Sequence, residues 1–144
     1  MKVAAPAEAS DHAKERQGGC LCGALRFGFT GVIDNPHYCS CRMCQKATGA
    51  PIVAWGDVRL ERFRWIGAGG EPAWFRSSSR TLRGRCTSCG GGAFCLDDGA
   101  DFICIGLACL DDPDLAKPTG QSFAASAPNW LRLSKIKREG AGHG

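Results

Sequence analysis

The sequence predicts a mainly β, small single domain whose strands are pinned together through clusters of cysteines. Twenty glycines and seven prolines imply many turns. The apolar segments between them are short, which favours strands over long helices. Ten cysteines, seven of them in three tight clusters, provide cross-links that a chain rich in turns needs. A length of 144 residues suits one hydrophobic core and leaves little room for a second.

The strands are predicted from the alternation of apolar and polar residues. Residues 24–30, ALRFGFT, place Leu25, Phe27 and Phe29 on one side of a strand and Arg26 and Gly28 on the other. The same interpretation suits residues 52–60, 63–66, 73–76, 81–85 and 102–107. The tryptophans of such a domain are predicted to fill its core, apart from Trp130, which we expect at the rim of a site.

Between and after the strands, the sequence predicts one helical turn and a surface crossing. The turn covers Arg42–Thr48 and is stopped by Gly49 and Pro51. Residues 111–120, DDPDLAKPTG, are rich in turn formers and are expected at the surface. The folded domain is therefore predicted to span residues 18–133, between a disordered leader over residues 1–17 and a flexible tail over residues 134–144.

The amino-terminal residues predict a cytoplasmic protein. Residues 1–17, MKVAAPAEASDHAKERQ, contain no apolar run of the kind that a secretory signal requires. No uncharged run approaches the ~20 residues of a membrane-spanning helix, so no membrane partner is expected. In a reducing compartment, ten cysteines are better explained by metal binding or catalysis than by disulfides.

Four cysteines form two half-sites that predict a structural zinc ion. Cys20 and Cys22 make a CxC pair, Cys86 and Cys89 make a CxxC pair, and each pair is followed by a glycine. A closed zinc site needs four ligands, and two such loops supply four sulfurs and backbone N–H groups that face them. The alternative is two unrelated pairs of buried cysteines.

Cys39, Cys41 and Cys44 supply three thiolates from six residues and predict a second zinc ion. Three protein ligands leave one coordination position open, as in a catalytic or substrate-binding zinc site. The alternative is a second closed site completed by Cys95, His37 or a ligand from a partner. Cys95, Cys104 and Cys109 stand in apolar surroundings and are expected to act as small core residues.

The charge argues against a nucleic-acid partner. The formal net charge is +4, and seven thiolates with two Zn²⁺ ions would lower it by three, to +1. A balance so close to neutral gives no reason to expect phosphate binding along an extended surface. The sequence leaves the oligomeric state open.

The three cysteine clusters, taken in this order, resemble those of the glutathione-dependent formaldehyde-activating enzyme (GFA) family, which shares a domain with centromere protein V. The resemblance extends over residues 18–133 and includes Gly23, the run KATGA at residues 46–50, Gly90 after Cys89, and residues 126–130. It implies a β-tent of small antiparallel sheets pinned by a Cys₄ zinc site. It also implies that Cys39, Cys41 and Cys44 occupy the place of the family's second zinc site.

The same resemblance implies glutathione as the ligand and carbon–sulfur lyase or synthase activity on an adduct such as S-hydroxymethylglutathione. The chain departs from common members at Ser40 and near Gln121, where many have histidine, and at Arg85, where phenylalanine is frequent. These departures concern the substrate and leave the seven expected metal ligands intact.

The expected site residues follow from this function. Cys39, Cys41 and Cys44 are the catalytic residues, and the glutathione contacts are Arg42, Lys46, Thr48 and Trp130. Arg42 and Lys46 would meet the carboxylates of the tripeptide, although a solvated helix face also explains them. Ser40 or Thr48 would polarise the incoming carbonyl. The alternative functions are a non-catalytic zinc-scaffold binding module, a thiol-adduct carrier, and a thiol redox or metal-buffer protein.

Overall fold

A computed structural model describes residues 13–133 as a mainly β domain, as the sequence predicts. Within these residues lie ten strands, one seven-residue α-helix and three single turns of 3₁₀ helix. No helix in this range has the length and apolar character that crossing a membrane requires. The predictions of a disordered leader and a flexible tail fall largely on residues 1–12 and 134–144, which lie outside the described residues.

The strands form two sheets. The smaller sheet has the order β1-β2-β5 and is antiparallel throughout. The larger sheet has the order β10-β3-β4-β9-β8-β7-β6, and only its edge pair, β10 with β3, is parallel. The strands of the smaller sheet are β1 (Arg16–Gly19), β2 (Arg26–Phe29) and β5 (Phe63–Trp65). Those of the larger sheet are β3 (Asp34–Cys39), β4 (Val53–Arg59), β6 (Ala73–Arg76), β7 (Thr81–Arg85), β8 (Phe94–Asp97), β9 (Phe102–Gly106) and β10 (Gln121–Ser122).

The six predicted strands and the predicted helix α1 (Arg42–Thr48) are all present. Gly49 ends the helix in a left-handed conformation, with φ of 79°, and its N–H bonds the carbonyl of Gln45. Strands β1, β3 and β10 were not predicted, and β8 was indicated only by the apolar neighbours of Cys95. The missed strands lack alternation: β3, for example, contains Pro36 and an irregular register between Asp34 and His37.

The predicted boundary of the leader was wrong, because Arg16 and Gln17 belong to strand β1. This strand has the sequence RQGG and shows no apolar period. It is held by pairing with β2 and by a close approach at Gly18, where an added Cβ would lie 2.4 Å from the carbonyl oxygen of Cys109. Such a close approach of two backbones requires glycine. A strand built on glycine has no apolar alternation from which it could be predicted.

The core lies between the two sheets and is built around Phe27, which is fully buried. Its ring centroid lies 5.5 Å from those of Phe63 and Phe94, which joins the smaller sheet to β8 of the larger one. Cys86 belongs to the same buried cluster. Burial of the aromatic side chains therefore brings the loop after β7 next to the turn that precedes β2.

A second buried cluster contains Cys39, Cys44 and Trp55. Strand β3 ends at Cys39, and α1 begins three residues later. On one side, the parallel strand β10 aligns Ser122 with Cys39, and the Ser40 N–H bonds the carbonyl of Ser122 at 3.0 Å. The third cysteine cluster is thus held between the carboxy-terminal segment and the larger sheet.

Candidate metal centres and the adjoining cleft

The sulfurs of Cys20, Cys22, Cys86 and Cys89 all lie within 4.8 Å of one another. The distance from the Cys22 sulfur to that of Cys20 is 3.7 Å, and to that of Cys86 it is also 3.7 Å. The fold thus brings together two pairs of cysteines that are 64 residues apart. The prediction that these four residues share one site agrees with this arrangement.

Both loops turn their backbone N–H groups toward the sulfurs. Gly23 and Gly90 follow the two pairs with φ values of 86° and 73°, a conformation that side chains rarely adopt. The turns that result aim N–H groups at the sulfurs, as in metal knuckles. The three N–H to sulfur distances, each 3.3 Å, are from Leu25 to Cys20, from Ser88 to Cys86 and from Gly91 to Cys89.

The four thiols interact strongly with one another. Burial raises the pKa of Cys20, but hydrogen bonds from the Leu25 N–H and the neighbouring sulfurs outweigh burial. The net result is a pKa lowered to about 6. The Ala24 N–H lowers the pKa of Cys22, but the sulfurs of Cys20 and Cys89 raise it, to about 11. The opposite shifts of these two adjacent thiols follow from the closeness of their sulfurs.

This donor set fits zinc. A tetrahedral ion with Zn–S bonds of about 2.3 Å requires sulfurs about 3.8 Å apart, and the observed separations are 3.7 Å. Soft thiolates also favour zinc over harder cations. The four cysteines can therefore hold one closed metal site.

The second group consists of Cys39, Cys41 and Cys44, whose sulfurs again lie within 4.8 Å of one another. The sulfurs of Cys44 and Cys39 are 3.7 Å apart, the spacing that a tetrahedral zinc ion requires. Burial raises the pKa of Cys39 to about 12. Burial also raises the pKa of Cys41, but N–H groups and neighbouring sulfurs outweigh it, so the net shift is downward.

The local backbone places the three sulfurs together. Cys41 is the N-cap of α1, and its sulfur accepts the Cys44 N–H at 3.2 Å. Gln45 is buried beside them and donates its side-chain amide to the carbonyls of Ser40 at 2.7 Å and Ser126 at 3.0 Å. One amide therefore links α1, the loop before it and the carboxy-terminal segment, and it sets the position of the triad.

No fourth ligand joins this triad among residues 13–133. His37, one of the expected alternatives, has its Nδ1 2.7 Å from the Asn35 carbonyl oxygen. Cys95 packs against the triad with Cys104 but lies outside the group of three sulfurs. Burial raises the pKa of Cys95 to about 12, which suits a small core residue.

Arg83, on strand β7, lies against the triad. Both of its Nη atoms are 3.7 Å from the Cys44 sulfur, and its Nε donates to the Ser77 hydroxyl at 3.1 Å. Burial lowers the pKa of this guanidinium, but the nearby sulfurs, those of Cys95 and Cys44 first among them, raise it, and the net shift is upward. A charged guanidinium therefore stands at the sulfurs.

An open cleft of about 760 Å³ lies between α1 and the β6–β7 hairpin, and Arg83, which contacts the Cys44 sulfur, is one of its lining residues. We call it the basic cleft, because its eleven lining residues include four cations and no acidic side chain. Its apolar walls include Met43, Trp74 and Phe75, and the Phe75 side chain is 70% exposed. The four cations are Arg42, Lys46, Arg83 and Arg85.

Three of the four expected glutathione contacts border clefts on the two sides of α1. Arg42 and Lys46 line the basic cleft and also a smaller cleft of about 480 Å³, which Trp130 lines on its far side. Trp130 is 71% exposed. Thr48 lines neither cleft, because its hydroxyl donates to the Cys44 carbonyl at 2.8 Å and accepts the Ala50 N–H.

The expectation that Ser40 or Thr48 polarises a substrate carbonyl does not agree with the structure. Ser40 is completely buried, and its hydroxyl accepts the side-chain amide of Gln121 at 2.9 Å. The Thr48 hydroxyl bonds the backbone at the end of α1. Both hydroxyls therefore stabilise the loop and the helix that carry the triad.

Sequence reasoning missed Gln45, Arg83 and Phe75. Gln45 stands in a short helix whose other polar residues are exposed or half-buried. Arg83 and Arg85 alternate with Leu82 and Gly84 along β7, a signal that the two arginines share a face. The alternation does not say which face meets the triad.

We expect the chain, purified without chelator, to carry two zinc ions. Seven thiolates in two groups with tetrahedral sulfur spacing bind zinc in preference to harder cations. Native mass spectrometry gives the number of ions for each chain, and emission spectroscopy identifies the metal. A single ion would contradict the presence of two centres.

Comparison with known proteins places this arrangement in a family. The sequence model described as "Glutathione-dependent formaldehyde-activating enzyme" matches residues 15–126, which contain all seven clustered cysteines. A search of curated protein sequences gave no significant match. Among solved structures, a crystal structure of a Rhodobacter sphaeroides protein is similar, with a TM-score of 0.54 and 19% identity, over 74% of this chain and 99% of that one. At that identity the likeness shows a common fold only.

Proposed function

The chain belongs to the glutathione-dependent formaldehyde-activating enzyme family, and on this premise we propose that it is a carbon–sulfur lyase or synthase acting on a glutathione adduct such as S-hydroxymethylglutathione. The reaction centre is the triad of Cys39, Cys41 and Cys44. We place the protein in the cytoplasm, the compartment in which glutathione keeps thiols reduced.

One observation carries this proposal: Arg83 lines a basic cleft large enough for a tripeptide and also lies 3.7 Å from the Cys44 sulfur, one of three sulfurs close enough to hold a metal ion. The cleft has a volume of about 760 Å³, within the range of small-molecule sites. It combines apolar walls with a few charged groups. This composition suits a ligand that has a reactive thiol and carboxylates at its ends.

The cations of the cleft have separate roles in holding glutathione. Arg42 and Lys46 lie one helical turn apart on α1, and Arg85 faces them from β7 across the same cleft. The ligand's two carboxylates can pair with two of these side chains and place its thiol toward the triad. The Arg42 guanidinium also donates to the side-chain carbonyl of Gln45, which orients it.

A zinc ion bound by the triad would supply the charge that favours the thiolate of glutathione, whose ordinary thiol pKa near 8.5 leaves only a few per cent ionised at neutral pH. The protein residues contribute position. Gln45 keeps α1 against the loop of Ser40, and the cleft restricts how the tripeptide can lie. Such positioning accounts for a large part of the rate enhancement in many two-substrate reactions.

The proton that moves in the reaction has no carboxylate or imidazole partner among the residues that line the cleft. In the synthetic direction, the sulfur–carbon bond forms, the carbonyl π electrons pass to oxygen, and the thiol proton ends on the carbinol oxygen. Because the cleft is open, water can carry this proton. The Arg83 guanidinium, with both Nη atoms 3.7 Å from the Cys44 sulfur, places a positive charge beside the triad.

Exchange spectroscopy of formaldehyde and glutathione tests the proposal. With catalytic amounts of protein, we expect the interconversion with S-hydroxymethylglutathione to exceed its uncatalysed rate, and Cys41→Ser to return it to that rate. Cys41 is chosen because its sulfur caps a helix at the edge of the core instead of lying within it. Cys109→Ser, a cysteine outside both metal groups, is the matched control and is expected to retain the acceleration.

The outcomes separate the candidate functions. If the wild-type protein binds glutathione but leaves the interconversion at its uncatalysed rate, the protein is a thiol-adduct carrier or a binding module. If oxidation releases zinc with formation of matching disulfides and no ligand binds, a redox or metal-buffer role is favoured. Either result would rule out the lyase assignment.

A further inference from the structure

We propose that Arg83 binds a carboxylate on the carbonyl partner of glutathione, so that the preferred adduct is the hemithioacetal of a 2-oxo acid and not that of formaldehyde. This inference rests on the proposed function and deepens it, because it names the class of the second substrate. In the reaction, RSH adds to OHC–COO⁻ to give RS–CH(OH)–COO⁻. The sulfur–carbon bond forms, and the thiol proton passes to the former carbonyl oxygen.

The first reason is position. Both Nη atoms of Arg83 lie 3.7 Å from the Cys44 sulfur. A group bonded to the reacting carbon lies next to the sulfur of the adduct, and in a 2-oxo acid adduct the carboxylate is attached to that carbon. A guanidinium that touches the triad is therefore within reach of this carboxylate, whereas the ends of glutathione lie farther along the cleft.

The second reason is that Arg83 has hydrogen-bonding capacity left. Guanidinium has five N–H donors. Nε uses one on Ser77, and each Nη directs one at the Cys44 sulfur, which leaves two of the five for a ligand. One remaining N–H is on each Nη, on the two outer edges of the planar group, and each can give a charge-assisted hydrogen bond to a carboxylate oxygen.

The third reason is that Arg83 has no carboxylate partner in the part of the chain that the structure describes. Other arginines outside the cleft do: Arg26 bonds Asp111 at 2.7 Å, and Arg76 bonds Asp98 at 3.0 Å. Arg83 is more buried than Arg76, and a desolvated cation is costly when it is only partly paired. A site with an incompletely paired, half-buried guanidinium is suited to an anion.

The fourth reason is the charge balance of the cleft. Glutathione brings two carboxylates, and Arg42, Lys46 and Arg85 are enough to pair with both. Formaldehyde brings no charge. The cation at the triad therefore has no carboxylate of S-hydroxymethylglutathione left to pair with, and a carboxylate on the carbonyl partner would supply one.

Two stable thioethers test this inference without catalysis. S-(Carboxymethyl)glutathione carries a carboxylate on the carbon bonded to sulfur, and S-methylglutathione lacks it. By titration calorimetry on the zinc-loaded protein, we expect the carboxymethyl compound to bind about tenfold to hundredfold more tightly, the effect of a charge-assisted hydrogen-bonded pair. Arg83→Lys, which keeps the charge, should retain part of this preference, and Arg83→Gln should remove all of it.

The controls separate ligand binding from structural effects. Both variants should retain two zinc ions and the wild-type circular dichroism spectrum, and their affinity for S-methylglutathione should stay within about threefold of wild type. Arg76 lies in the same hairpin as Arg83, but it bonds Asp98 and does not line the cleft. The Arg76→Gln variant should therefore keep the full preference.

Equal affinity of wild type for the two thioethers would overturn the inference, as would a preference that persists in Arg83→Gln or a failure of both thioethers to bind. Exchange spectroscopy with glyoxylate and with formaldehyde then distinguishes the two proposals. If the protein accelerates the formaldehyde reaction but shows no preference for the carboxymethyl thioether, the role of Arg83 is wrong and the lyase function stands. A preference that depends on Arg83 without acceleration of either reaction removes the lyase activity and retains the binding specificity.

Discussion

Replacing Cys89 with serine is expected to unfold the domain. Cys89 is one of four sulfurs that join the turn before β2 to the loop after β7, and serine cannot supply a soft thiolate to that site. A structural zinc site contributes about 10–16 kcal/mol of apparent binding free energy, as much as the ~5–15 kcal/mol of net stability of an ordinary domain. Loss of this ion therefore exceeds what the core alone can offset.

The measurement is the circular dichroism spectrum and the soluble yield, together with the zinc content. We expect Cys89→Ser to be insoluble or to lack a cooperative thermal transition. Cys109→Ser changes the same residue type outside both metal groups and should cost only about 1 kcal/mol, as typical substitutions do. A folded Cys89→Ser protein that melts near the wild-type temperature would show that the four-cysteine site is not structural.

The two zinc ions are expected to leave in a fixed order when a chelator is added at equilibrium. The triad offers three protein ligands and the other group offers four, so the triad ion should bind more weakly. Its removal leaves both sheets paired and the Phe27 core intact. Removal of the second ion should coincide with unfolding, because that site connects segments 64 residues apart.

Zinc content and far-ultraviolet circular dichroism, followed against chelator concentration, check this order. We expect the first ion to leave without a spectral change and the second to leave with the loss of the β signal. In Cys41→Ser, which lacks one triad ligand, only the second step should remain. If Cys41→Ser aggregates while Cys89→Ser stays folded, the roles of the two centres are reversed.

The two groups of cysteines that could hold metal could be predicted from the sequence because their geometry is local. In each cluster neighbouring cysteines are two or three residues apart, and glycines at 23 and 90 allow the positive φ values that the two turns require. Spacing predicted that the first and last clusters share one site, with two unrelated pairs as the alternative. The Phe27 core decides between them, because packing of the smaller sheet on β8 and β9 brings Cys20 and Cys22 to Cys86 and Cys89.

The surroundings of the triad were predicted less well. Arg42 and Lys46 stand near Cys44 in the sequence, and the structure places both on the cleft. Thr48 is equally near, but its hydroxyl bonds the Cys44 carbonyl. Closeness in sequence therefore predicts that a residue lies near the triad. It does not predict whether a hydroxyl is available to a ligand, because the backbone at the end of a helix can take up its hydrogen bonds.

By itself the sequence determined the fold class, the helix at Arg42–Thr48 and the seven clustered cysteines, since strand alternation, a stop at Gly49 and cysteine spacing are properties of consecutive residues. Only the tertiary structure decided that Arg83 touches the Cys44 sulfur and that Gln45 joins Ser40 to Ser126. These contacts span up to 81 residues, and they depend on which strands pair and in which register. A period of two shows that neighbouring residues of a strand face opposite ways, but the side that meets the triad is set by packing of the whole chain.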